Sequence, residues 1–188
     1  MAIKTFTTGE VLTASDTNTY LANAGLVYVT STSVGSGTTL TIANAFSSTY
    51  NDYRIVFSNL KCATGTIFIT TQLRVGGSTS ATAYYDSRLE VSLAGAVSGA
   101  GTTNGAAWTP AIVADATNAA GAIFDVFNPN QAVVTSFTSA GIDGRTTGSP
   151  MRMAGGFHNA ATAYTDIVFT ASTNFSTGTV TVYGYRKA

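Results

Sequence analysis

Apolar and polar residues alternate along nearly the whole chain, and this period of two limits the fold more than any other feature. Successive side chains of a strand point to opposite faces, so alternation marks a strand with one face buried. The last such run is Gly178-Thr179-Val180-Thr181-Val182-Tyr183-Gly184-Tyr185-Arg186-Lys187-Ala188. Val180 and Val182 fall on one face, while Thr179, Thr181, Tyr183 and Tyr185 fall on the other. A strand here ties the last residues into a sheet.

The same pattern predicts strands at 26–33, 38–42, 52–58, 66–75 and 87–93. It continues at 111–114, 122–127, 132–137, 151–157, 166–171 and 179–185. Tyr53, Ile55 and Phe57 share one face of their run, as do Ile67, Ile69, Leu73 and Val75. Leu89, Val91 and Leu93 stand against Arg88, Glu90 and Ser92. Residues 94–107, rich in Gly and Ala, read as a loop. The expected fold is all-β: a single jelly-roll-like sandwich of about ten strands, spanning 26–188.

Residues 1–25 differ. Thr13-Ala14-Ser15-Asp16 has the form of a capping box, followed by a two-turn helix over 17–24 and a stop at Gly25. So short a helix is marginal by itself in water. It needs something to pack on, and the segment reads as an anchor.

Composition narrows the function classes. A length of 188 residues buries a core without metals or disulfides. Cys62 is the single cysteine, so neither an internal disulfide nor a Cys-based zinc site is expected. The 9 basic and 9 acidic residues cancel and form no basic stripe, which argues against nucleic-acid binding. No apolar run approaches the ~18–20 residues of a spanning helix, so membrane insertion is not expected. The first residues, Met1 to Phe6, lack the apolar centre of a signal peptide.

Reactive constellations are scarce. No nucleophile elbow or phosphate-binding glycine loop occurs. His158 is the only histidine. Among the acids, Glu90, Asp115, Asp125 and Asp143, no spacing singles out a glycosidase-like pair. Asp115 and Asp143 read as turn residues. Asp125 lies inside a strand, between Phe124 and Val126; facing inward, it would need a cation such as Arg54 or Arg145. No catalytic residue, metal or cofactor is assigned, and the chain reads as a non-enzyme. Tyr84, Tyr85, Trp108, Phe157, His158 and Tyr164 fall in or beside loops, where aromatic faces can stack on a glycan. The competing role for these six is to plug the ends of the sandwich.

Two stretches carry a family resemblance. Val11-Leu12-Thr13-Ala14-Ser15-Asp16-Thr17-Asn18-Thr19-Tyr20-Leu21, with Leu26-Val27-Tyr28-Val29 after it, resembles the amino-terminal segment of tailed-bacteriophage fibre and minor structural proteins. Ala45-Phe46-Ser47-Ser48-Thr49-Tyr50-Asn51-Asp52-Tyr53-Arg54-Ile55, paired with the closing Gly178 to Arg186, is similar to small virion proteins of tailed phages. Gly155 to Tyr164 fits the same pattern, and Asp125-Val126-Phe127-Asn128-Pro129 fits it more loosely. The resemblance implies a virion component, a tail fibre or a capsid decoration, assembled in the bacterial cytoplasm and usually a homotrimer. It implies virion anchoring through Leu12, Asp16, Tyr20 and Leu21. Its implied partners are further copies, other tail or capsid proteins and a host surface glycan.

Overall fold

The computed structural model describes residues 7–11, 13–16, 25–143, 148 and 150–185. Thirteen strands join into one sheet, strongly curled into a half-barrel. In chain order these are β1 (Leu26–Ser33), β2 (Gly37–Ile42), β3 (Asp52–Cys62), β4 (Thr66–Phe68), β5 (Thr70–Val75), β6 (Ser78–Thr79) and β7 (Tyr84–Val91). Then come β8 (Val97–Gly105), β9 (Val113–Asp115), β10 (Ala120–Phe127), β11 (Thr135–Ile142), β12 (Met151–His158) and β13 (Asp166–Tyr185). Pairing is antiparallel except for a single parallel match, Lys61 with Asp115. The only helix among the described residues is one turn, α1 (Ala14–Asp16). Asp16 closes that turn; the helix expected over 17–24, and Leu12, Tyr20 and Leu21, lie outside the described residues.

β13 organises the sheet. It runs for 20 residues, where the alternation suggests two separate strands. Asp166 to Thr170 lies between β2 and β5. From Thr179 onward the strand lies between β1 and β3. Register slips around Thr177 join the halves, and Gly178 there has φ of 143°. Bulges of this kind bend a strand and sharpen its twist, which is how one ladder turns the corner of the curl. The bend brings Phe169 of the first half edge-on to Phe57, with centroids 4.9 Å apart. Val180 and Val182 are fully buried, as the closing alternation predicts.

The two stretches that carry the resemblance meet here. Ile55 faces Val182 and Tyr53 faces Gly184 across the β3–β13 ladder. The Tyr50 ring lies over Gly184, in space that a Cβ would occupy. Tyr53 stacks edge-on with both Phe46 and Tyr50, and its hydroxyl donates to the Ser47 carbonyl at 2.7 Å.

From β13 the sheet continues β3–β10–β11–β12–β7–β8. Its inner face is covered by the chain from Trp108 to Ala114, which is buried from Pro110 onward. Thr109 N–H donates to Asp86 and Ala111 N–H donates to Ser139 Oγ, both at 2.9 Å. These bonds fix the crossing segment on β7 and β11.

Two strand expectations are corrected. Residues 94–107 are not a loop: β8 pairs with β7 through Val97 to Gly105. Its Gly and Ala residues carry too little apolar surface to show a period, so the backbone ladder alone defines the strand. The β7 faces are also inverted. Leu89 and Leu93 are exposed, while Arg88 and Glu90 turn toward the inner side.

Candidate functional site

The inner face carries an aromatic cluster at one end and a charged one at the other. Trp108, Tyr84 and His158 are fully buried, and Tyr164 is nearly so. Tyr84 meets Trp108 and His158 edge-on at 5.2 and 4.3 Å, and His158 meets Tyr164 at 5.5 Å. Trp108 Nε1 donates to the Phe157 carbonyl, and His158 Nε2 bonds Ser80 Oγ at 2.8 Å. Tyr84 Oη accepts from Leu73 N–H, and burial pushes its pKa up to about 12. This placement corrects the expectation of glycan contact for Tyr84, Trp108, His158 and Tyr164. Each is an alternate, inward position or a core plug, with no face left for a ligand.

Burial pushes the His158 pKa down from 6.5, with nearby backbone groups of His158 and Thr82 offsetting part of the shift. The unfolded chain therefore binds a proton at this site more readily than the folded one. His158 thus contributes stability above its unfolded value near 6.5, and that contribution is lost as pH falls below it. The loss runs at up to about 1.4 kcal/mol per pH unit until the folded group titrates. Melting curves of the wild type and His158→Gln between pH 7.5 and 5 check this. The wild type loses more stability over that interval than the variant does; equal slopes would show that His158 is not the proton-linked group.

At the other inner end, Arg152 is buried and its Nη1 bonds Asp143 Oδ2 at 2.6 Å. Glu90 lies 3.3 Å from Arg152 Nε and 3.1 Å from Arg88 Nε. Both guanidinium groups lie over the Phe68 ring, Arg88 at 4.9 Å and Arg152 at 4.8 Å from its centroid. Asp143, at the end of β11, is a buried ion-pair partner of Arg152. Asp115 does cap a turn, accepting from Thr117 and Asn118 N–H.

The outer face is different. Cross-strand register sets its side chains in rows. Val97, Val91, Met151 and Ile142 form one row from β8 to β11. Leu89, Met153, Ala140, Ile123 and Val56 form the next, from β7 to β3. Leu89, Val97, Ile142 and Met153 each expose more than half of their surface. The third row is polar: Ser87, Gly155, Thr138, Asp125 and Arg54. Beside it Tyr85 and Phe157 stack face to face, 4.8 Å apart and 6° from parallel. Phe157 is exposed and Tyr85 partly so.

Asp125 takes Arg54 as its cation. Arg54 Nε and Nη2 donate to the two carboxylate oxygens at 2.8 and 2.7 Å, and Tyr185 Oη donates to Oδ1 at 3.0 Å. The hydrogen bond to Asp125 raises the Arg54 pKa. The fork-to-fork geometry fixes both side chains at the mouth of a groove of about 630 Å³, lined also by Ile123, Leu89, Thr138 and Met153. A second groove of about 710 Å³ shares Ile123, Ala140 and Met153 and extends to Ile142 and Met151. One continuous surface therefore holds two apolar rows, a polar row with a fixed ion pair, and a stacked aromatic pair. This surface can bind. Asp125 is already engaged by arginine and tyrosine, and Asp52, in register with the aromatic pair, accepts from Asn128 N–H at 3.1 Å, which suits the surface to recognition.

Of the residues singled out from the sequence, Tyr85 and Phe157 stand on the outer face, and Asp125 pairs with Arg54 rather than another cation. Sequence reasoning missed the apolar rows, although Met151, Met153 and Phe157 alternate with Arg152 and His158 along β12. No protein-family model, curated protein or solved structure matches this chain.

Proposed function

We propose that this chain is a non-enzymatic structural protein of a tailed-bacteriophage virion, a tail-fibre or receptor-binding subunit attached through its N-terminal segment. The observation that carries the reading is the outer sheet face. Soluble monomers rarely expose contiguous apolar patches beyond a few hundred Å², and larger ones mark contact surfaces. The face lies on hydrogen-bonded strands, so its residues are held for contact rather than chemistry. The resemblance of 11–21, 26–29, 45–55 and 178–186 supports the virion assignment. On this reading residues 26–188 act as a jelly-roll-like head, closed by the curl at β13. Residues 1–25 are the anchor, through Leu12, Asp16, Tyr20 and Leu21, and the head assembles as a homotrimer.

Host glycan contact is assigned to the Tyr85–Phe157 stack and the polar row beside it. An aromatic face next to fixed polar groups is the usual composition of a sugar site. Labelling the chain in intact particles tests the virion reading. Signal at the tail supports a fibre, signal on the capsid replaces it with a decoration or head-fibre protein, and no signal removes both. Incubation with host polysaccharide tests the non-enzymatic part. Shortened chains, lost on Asp125→Asn, would overturn it.

A further inference from the structure

We infer that the two apolar rows of the outer face are the surface through which copies of this chain bind one another. The inference rests on the proposal that the chain is a subunit of an assembly. Three observations carry it. The first is area. Six side chains, Leu89, Val97, Ile123, Ile142, Met151 and Met153, are each exposed by 41–65%. Together they present on the order of 600 Å² of apolar surface, against the ~800 Å² per partner of a standard interface.

The second is charge. Neither row contains a charged residue from β8 to β3. At the border, Arg54 and Asp125 neutralise each other. Arg88, Glu90, Arg152 and Asp143 pair on the inner side of the sheet. Three copies of this face converge about one axis without like-charge repulsion, whereas a charged partner finds nothing to complement.

The third is the edge at the end of the rows. β8 is exposed on both faces along most of its length and, among the described residues, has one strand neighbour, β7. Its sequence, Val97-Ser98-Gly99-Ala100-Gly101-Thr102-Thr103-Asn104-Gly105, has none of the Lys or Pro guards that keep free edges from pairing. A second copy seated on the apolar rows covers this edge as well.

The test is the mass of the purified full chain in solution by sedimentation and light scattering, at tens of micromolar. The wild type is expected to be an oligomer, with slow hydrogen exchange in the β8 amides. Leu89 and Met153 face each other across β7 and β12, so Leu89→Lys with Met153→Glu places opposite charges side by side within one copy. This variant is expected to keep its circular dichroism and to associate about 100-fold more weakly or worse, because the charges must be buried against the partner. Should it fail to fold, Ile142→Thr with Met151→Gln removes apolar contact without adding charge. A monomeric wild type overturns both this interface and the homotrimer, including the case where another protein then protects the face. An oligomer that survives both folded variants overturns this face alone and leaves the trimer standing. Neither result bears on the particle-labelling test of the virion reading.

Discussion

Arg152→Met is expected to remove about 3–5 kcal/mol of folding stability. The guanidinium is buried with Asp143 on one side and Glu90 on the other, and it lies over Phe68. Methionine fills much of the same volume, so packing loss is the smaller part of the effect. What is lost is the cation that faces two carboxylates in a site shielded from water. The melting temperature should fall by about 6–20 °C for a domain of this size. The unfolding signal is convenient, since Trp108 is the only tryptophan and is fully buried. Adding Asp143→Asn to the variant should recover part of the loss, because a neutral amide costs less to bury than a carboxylate. A loss below about 1 kcal/mol would mean that water reaches the cluster and screens it.

This cluster also explains why the apolar side of β7 faces outward. Apolar residues turn inward when the interior has room for apolar surface. Here the interior opposite Arg88 and Glu90 holds Arg152 and Asp143, so the charged side of β7 finds partners inside. Leu89 and Val91 are then left on the outer face, where they join Met153 and Met151. A period of two reveals that a strand has two faces. It does not say which one is covered when the chain neutralises its charges internally. The same limit applies to Tyr84 and His158. Proximity to predicted loops suggested surface contact, but they alternate with Tyr85 and Phe157 on the opposite faces of β7 and β12. Alternation separated the members of each pair correctly, and only the burial of one face could choose between them.

Other elements were legible because side chains carry their signal. Leu26–Ser33 is a strand to its ends, and Tyr53, Ile55 and Phe57 share the buried face of β3. Arg54 was legible as a partner of Asp125, but on the premise of an inward carboxylate; the pair instead forms on the outer face, directly across the β3–β10 ladder. β8 was not, since glycine pairs through its backbone and leaves no mark on hydropathy. β13 was broken in two by the polar stretch Ser172 to Gly178, which is where the ladder changes partners.

Glycines make the last prediction, because two of them on neighbouring strands should respond in opposite directions. Gly141, on the inner face of β11, lies beneath the segment that crosses from Trp108 to Ala114. A Cβ there would overlap the carbonyl oxygen of Ala111 and come 3.3 Å from the Ala122 methyl. The obstacle is backbone, held in place by the bond from Ala111 N–H to Ser139 Oγ. It cannot swing aside as a side chain would. Gly141→Ala should therefore cost about 3 kcal/mol or more, as overpacking that displaces a buried segment does. The melting temperature should drop by about 6–12 °C. Gly121 is the control, on β10 one residue removed in register from Ala122, which faces Gly141. It is exposed, and an added Cβ meets only Phe57 O at 3.6 Å, an ordinary contact. Gly121→Ala should leave stability unchanged or raise it by about 0.4–1 kcal/mol, through lower entropy of the unfolded chain. Equal effects at the two sites would mean that the 108–114 segment does not press on β11. The inner face would then lack the cover that leaves the outer face as the free surface of this protein.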